Sequence, residues 1–268
     1  MLTRAMHYLR IYGRFQMLHW RASLEYEADF WIGIVGMGLT HTTGFIFVWA
    51  FFQNVPTVVG WGLWDTAFLY ALAIIPRGLV ELLCDGSWML RMLVNEGELD
   101  RLLVRPVSPV LQLVTYMNSI HGLGSVLLGG IIFVRSAYEL HVAWNIGNSL
   151  FLVLTLLNAV ILINAINLIV NSIAFWEPAA TGSFPNVVYQ FLEFGKFPLN
   201  VYDRLVQLFL TWVLPFAFVS YYPSLVLLGK LGGNIWVAYA TPFTGLLATC
   251  VAGLVWRVGL ARYQGTGS

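Results

Sequence analysis

The sequence predicts an all-α integral membrane protein with six transmembrane helices, an N-terminal amphipathic interfacial helix and re-entrant helices before the last span. Three observations carry this expectation. Hydrophobic residues make up 59% of the 268 and charged residues 10%, with a mean hydropathy of +0.75, whereas a soluble domain carries about 25% charge. A water-facing globule of this length has no way to hide so much apolar surface. Apolar stretches recur near 30–53, 65–84, 108–134, 144–175, 205–228 and 235–260, each offering about the 20 residues that a helix needs to cross hydrocarbon. Backbone groups find no water partners there, so such runs must be helical, and the ten-residue alternation of a barrel is absent. The third observation is where the basic residues fall. With the N-terminus in the cytoplasm, Arg4, Arg10, Arg14, Arg21, Arg91, Arg101, Arg105, Lys196, Arg204, Arg257 and Arg262 lie inside, and only Arg135 and Lys230 lie outside. That asymmetry sets the expected orientation, with both termini cytoplasmic.

The elements follow in order within a single transmembrane domain, 1–268. Residues 1–29 read as an amphipathic connecting helix, because Arg4, His7, Arg10, Arg14 and Arg21 fall within about 120° of a helical wheel, with Tyr8, Leu9, Tyr12, Phe15 and Trp20 elsewhere. Basic residues would meet lipid phosphates while the aromatic side enters the headgroup boundary; contact with a cytoplasmic partner is the other reading. No compact apolar core marks a cleavable signal peptide. In the second span Arg77, Glu81 and Asp85 stand at i, i+4 and i+8, on one helix face, where they neutralise each other as a structural ion pair or serve as a gate. The loop 85–109 then places five charges in the twelve residues Asn95–Pro106. It reads as a water-exposed contact surface for a soluble partner, built from Glu96, Glu98, Asp100, Arg101 and Arg105 with Trp88 and Leu99 as apolar neighbours. In the fourth span Asn164, Asn167 and Asn171 share an arc of about 60°, with Asn158 on another side. This polar stripe supplies interhelical hydrogen bonds, worth about 1 kcal/mol each, or lines a solute path. Gly33, Gly36, Gly38, Gly122, Gly124, Gly129 and Gly130 permit close helix approach or dimerisation. Pro215, Pro223, the Gly229–Gly233 cluster and Pro242 interrupt 215–242, which is expected to re-enter the membrane from outside.

Catalytic chemistry is missing from the pattern. There is no phosphate loop, Cys-x-x-Cys, His-Glu-x-x-His or Gly-x-Ser-x-Gly motif, so the chain is expected to bind no cofactor or metal and to be no enzyme by itself. His41 and His121 lie in spans without carboxylates at ligand spacing and read as packed or hydrogen-bonding residues. Cys84 and Cys250 read as packing residues. A net charge of +1 points to no nucleic acid. Any uphill movement must then draw on another polypeptide or an ion gradient, which leaves a secondary transporter or a non-transporting scaffold as alternatives to an ATP-driven permease.

Gly97-Glu-Leu-Asp-Arg-Leu-Leu-Val-Arg-Pro-Val-Ser-Pro109 resembles the signature of a bacterial branch of type-2 ATP-binding-cassette (ABC) permeases. Lys196-Phe-Pro198, Pro215-Phe-Ala-Phe-Val-Ser-Tyr-Tyr-Pro223 and Trp256-Arg-Val-Gly-Leu-Ala-Arg-Tyr-Gln-Gly-Thr-Gly-Ser268 are similar to segments at matching places in that branch. The resemblance implies an exporter subunit of the bacterial inner membrane, with the 85–109 loop as its coupling element. It implies two copies of a separate ATPase subunit supplying ATP and Mg, and a second permease subunit, identical or related.

Overall fold

The computed structural model describes residues 2–177, 183–232 and 235–263, with side chains from Arg10 onward. Arg4, His7, Tyr8, Leu9, Gly233 and the last five residues of the terminal segment fall outside the described structure or side chains. Among the described residues all regular structure is helical, apart from an isolated bridge between Val58 and Trp61.

Helix α1 (Leu2–Glu25) stops at Tyr26, and α2 (Glu27–Asn54) starts with Glu27 and Asp29 in its first turn, where acids complement the helix dipole. The tight Val58–Trp61 turn leads to α3 (Leu63–Leu83), whose start is fixed by Asp65 Oδ2 accepting from Gly62 N at 2.9 Å. A 3-10 turn (Asp85–Met89), α4 (Leu90–Asn95), α5 (Leu99–Leu103) and α6 (Pro109–Val114) then form a compact hairpin. Helices α7 (Gly122–Glu139) and α8 (Ile146–Asn171, prolonged by a 3-10 turn to Phe175) follow. Next come α9 (Ser183–Gln190), continued by a 3-10 stretch to Lys196, then α10 (Arg204–Leu208) with a π turn to Val213, α11 (Tyr221–Leu227), α12 (Ile235–Tyr239) and α13 (Thr241–Arg262).

Four of these helices are long and apolar enough to cross a membrane: α2, α3, α8 with its extension, and α13. A fifth candidate is the pair Arg204–Val213 and Phe216–Leu227, bent by 78°. The expected third span at 108–134 is divided: Pro109–Val114 belongs to the hairpin, and the long helix starts at Gly122 and ends with the Arg135–Glu139 ion pair at 2.5 Å, which shortens its apolar run. The expected fifth span at 205–228 is the bent pair. Pro215, which has no N–H to continue a helix, sits at its break.

Helix α3 is the central element, with most of its length buried. It meets α7 through two facing glycines: a Cβ on Gly78 would stand 2.6 Å from Gly122 O, and one on Gly122 would stand 2.4 Å from Gly78 O. Gly124 and Gly129 serve contacts of the same kind against α2 and α3, whereas Gly36 and Gly130 face open space. Helix α13 lies along α8, clamped by Asn158, whose Oδ1 accepts from Gly245 N at 2.6 Å while Nδ2 donates to Thr244 Oγ1 at 3.1 Å.

The segment 183–201, expected as a loop at the hairpin end, instead runs antiparallel along α3. Its Tyr189 touches Trp88 just past the end of α3, Glu193 meets Arg77, Lys196 lies over the Tyr70 ring, and Asn200 Nδ2 donates to Val59 O at 3.2 Å before the start of α3. At this far end Lys230 joins the same turn, donating to Gly60 O at 2.9 Å and pairing with Asp65 at 2.7 Å.

Candidate functional site: a helical hairpin joined to a buried ion cluster

The hairpin 85–116 is folded from within. Leu90, Leu93, Val94, Leu99, Leu102 and Leu113 bury themselves together and against Ala165, Leu168, Phe175 and Trp256 on the ends of α8 and α13. Gly97 sits at φ 71° between α4 and α5, the left-handed conformation that ends a helix without a Cβ penalty, and Pro109 opens α6 at its first position. Gln112, which sequence reasoning passed over, closes the structure. Its Nε2 donates to Leu102 O at 3.0 Å and to Val107 O at 2.9 Å, and its Oε1 accepts from Arg105 at 3.5 Å.

The anticipated contact residues divide accordingly. Glu96, Asp100, Arg101 and Arg105 are exposed, and Glu98 pairs with Arg101 at 3.2 Å and accepts from Tyr116 at 3.3 Å. Leu99 is 0% exposed and belongs to the core, while Val104, unremarked in the sequence, is 84% exposed amid those charges. Trp88 turns away from that surface and packs edge-on against Tyr189 at 5.3 Å. Beside it, burial and the neighbouring Glu81 push the Asp85 carboxyl up to about 7.

Helix α1 grips this junction. The last carbonyls of a helix lack intrahelical partners, and α1 supplies them: Tyr12 OH and Gln16 Nε2 donate to Leu83 O at 3.0 and 2.7 Å, and His19 Nε2 bonds Thr115 O at 3.0 Å. Tyr12, expected to enter lipid, is therefore docked on protein together with Gln16 and His19. Arg10, Arg14 and Arg21 are exposed, together with Met17, Leu18, Trp20 and Leu24.

Further along α3 lies the ion cluster. Arg77 pairs with Glu81 at 3.5 Å and with Glu193, and Glu193 Oε2 accepts from Lys196 at 2.5 Å. The Arg77 guanidinium covers the Tyr189 ring at 4.9 Å and the Lys196 ammonium covers Tyr70 at 5.5 Å. Tyr70 OH donates to His41 O at 2.9 Å, and His41 Nε2 bonds Ser125 Oγ at 3.0 Å, so His41 serves interhelical bonding as expected. Asp85 does not continue the Arg77–Glu81 row on the helix, because α3 ends at Leu83 and the chain turns at Cys84. Arg77 is six residues, about 9 Å, from that end and Tyr70 about 10 Å from the other, so Glu193 and Lys196 lie beside the middle of α3 while Glu81 is two residues from its end. The side chain of Glu193 is 45% exposed against 22% for Arg77 and 14% for Lys196. Glu193 and Lys196 were missed as partners; their signal was two charges three apart amid Tyr189, Phe191, Phe194, Phe197 and Tyr202.

Two of the three asparagines bond protein through their side chains. Asn164 Nδ2 donates to Cys84 O at 2.6 Å, tying α8 to the end of α3, and Asn171 Nδ2 donates to Asn167 O at 2.8 Å. Asn167 and Asn171 are buried. Among the described residues no group of three or more His, Cys, Asp or Glu is placed to hold a metal ion.

A bundle of apolar helices carrying a self-packed charged hairpin at one end and an ion cluster along α3 is the architecture of a multi-pass membrane protein. The family follows: a family model described as ABC-2 family transporter protein matches residues 39–267, and the chain belongs to that family. It is a transmembrane permease component of an ABC transporter, from a family of membrane components that lack the nucleotide-binding domain and imply an ABC ATPase as partner. Neither a curated protein nor a solved structure matches the chain.

Proposed function

We propose that this chain is the permease subunit of an ATP-driven exporter in a bacterial plasma membrane, forming a translocation path with a second permease, identical or related. The observation that carries this reading is the ion cluster. A half-open carboxylate at the mid-length of a membrane helix cannot face lipid, because ionisable groups at that depth line a bundle interior or a watery cavity. The face bearing Glu193 is therefore covered by the second subunit, with the path between them.

Six crossings accommodate this: α2, α3, α7, α8, the broken segment 183–201, and α13, with the bent pair 204–227 re-entering from outside. Lys196 then lies within the membrane and Arg204 outside. The hairpin and both termini face the cytoplasm, since Arg4, Arg10, Arg14, Arg21, Arg91, Arg101, Arg105, Arg257 and Arg262 remain inside against Arg135, Arg204 and Lys230. Two ATPase subunits, which bind ATP and Mg, dock on the hairpins, with Val104 offered among Glu96, Asp100, Arg101 and Arg105. The exposed arginines of α1 rest on lipid phosphates.

The test is purification of the chain from its native membrane in mild detergent, with mass spectrometry and an ATPase assay. Co-purification of an ABC ATPase with ATP turnover supports the reading, and any second permease recovered decides identical against related. Recovery of the chain alone, from a preparation that preserves a known membrane complex, favours a gradient-driven transporter or a scaffold.

A further inference from the structure

We propose that Trp88 and Tyr189 are positioning residues, a joint through which the hairpin sets the Arg77–Glu193 pair and so the state of the charged stretch. The inference rests on the ATP-driven permease reading above. Trp88 stands on the first turn of the hairpin and meets the Tyr189 ring at 88°, with centroids 5.3 Å apart, the edge-to-face arrangement that gives an aromatic pair a preferred geometry. The opposite partner of Tyr189 is Arg77 at 4.9 Å, and Arg77 holds Glu193. Four side chains in contact thus lead from the docking element to the most open charge of the cluster.

Two further features give this joint leverage. The core of the hairpin is built against α8 and α13, not against 183–201. Beyond Trp88 a cleft of about 380 Å³ opens between the hairpin, the end of α8 and the start of α9, lined by Arg91, Asn95 and Glu96 of the hairpin, Asn171 and Glu177 at the end of α8, and Pro185 of α9. A hairpin that swings into or away from this space carries Trp88 with it. Tyr189 must follow or lose its contact, and either event moves the ring on which the Arg77 guanidinium rests. Coupling of this kind needs a contiguous set of packed groups with two arrangements; the ring contact, the cation over the ring and the ion pair supply the contiguous set, and the experiment below tests for the second arrangement.

The experiment uses the purified complex with its ATPase, with Cys84 and Cys250 replaced and a reporter cysteine at the exposed position Gln190 (Gln190→Cys). The rate of labelling by a water-soluble maleimide is measured without nucleotide and after trapping with ATP and vanadate. The intact joint is expected to change that rate by about threefold or more, and Trp88→Ala to remove most of the change while ATP turnover stays within about twofold. Trp88→Phe, which keeps an aromatic edge, should retain it. Trp88→Leu replaces Trp88→Ala if the latter fails to assemble. A nucleotide-dependent change that survives Trp88→Ala or Trp88→Leu overturns the inference, as does a parent complex that hydrolyses ATP with no change at the reporter. Absence of any bound ATPase overturns the permease reading instead.

Discussion

The hairpin 85–116 and the segment 183–201 are built from the same materials, short helices and 3-10 turns rich in charge and large apolar side chains, and they arrange them in opposite ways. In the hairpin the leucines are inside and Glu96, Asp100, Arg101 and Arg105 are outside. In 183–201 Glu193 and Lys196 turn to Arg77 and the Tyr70 ring, whereas Phe184, Val187 and Val201 are about half exposed. If 183–201 crosses the membrane as proposed, solvent explains the inversion. Water solvates a charge and rejects a leucine, while lipid accepts a phenylalanine and leaves a charge in need of a partner. On the permease reading proposed above, the contrast also means that docking a soluble protein would leave the hairpin's shape intact, because its fold does not depend on the surface it presents.

The largest expected effect tests that independence. Leu99→Ala empties a fully buried site and should cost about 3 kcal/mol, measured by thermal or denaturant unfolding in detergent, whereas Val104→Ala at the exposed tip should change stability by less than about 0.5 kcal/mol and weaken ATPase binding instead. Equal destabilisation by the two would break the distinction between core and docking surface.

The next test addresses the inverted region. Arg77→Met leaves Glu81, whose side chain is 13% exposed, without its cation, while Glu193 keeps Lys196 at 2.5 Å. A fully buried orphaned charge costs about 3–5 kcal/mol, and because Glu81 retains some solvent contact the expected loss here is about 2 kcal/mol. Adding Glu81→Gln should recover part of it, so the double-mutant cycle reports a coupling that two exposed hairpin charges, Asp100 and Arg105, should not show. A smaller and more local effect is expected at Gln112. Replacing it with Leu frees the Leu102 and Val107 carbonyls at a cost of about 1–2 kcal/mol, seen as faster amide exchange across 102–107 with the membrane helices unchanged.

These regions were unequally legible in the sequence. The hairpin's charge density announced a water-facing element, but which apolar residues point inward depends on α8 and α13, more than 40 residues away; hence Leu99 was assigned to the surface it supports. Helices α2, α3, α8 and α13 were readable because length and apolarity are local properties. Segment 183–201 was not, since Glu193, Lys196 and Pro198 lower its hydropathy and its helical turns are short. Only the proximity of Arg77, 116 residues earlier, makes those charges tolerable alongside α3. Asn158 was set aside for lying off the asparagine stripe, yet it clamps α13 because Gly245 lets the helices approach there.

Asp85 stands at the boundary between the two regimes and offers the finest test of the comparison. It is past the end of α3 but buried, and its carboxyl, ordinarily near 3.8, is pushed up to about 7 by that burial and then by Glu81. Between those two values the folded protein holds a proton that the unfolded chain gives up. Stability should therefore be highest below about pH 4, decline as pH rises toward 7, and level off above it. Asp85→Asn removes the titrating group, so its unfolding temperature in detergent should exceed that of the parent at pH 8, with the advantage shrinking as pH is lowered to 5. If the parent instead gains stability over the same rise in pH relative to the variant, the Asp85 carboxylate is being stabilised by water or a cation as the hairpin's exposed acids are, and the boundary between the two solvents lies deeper along α3 than Leu83.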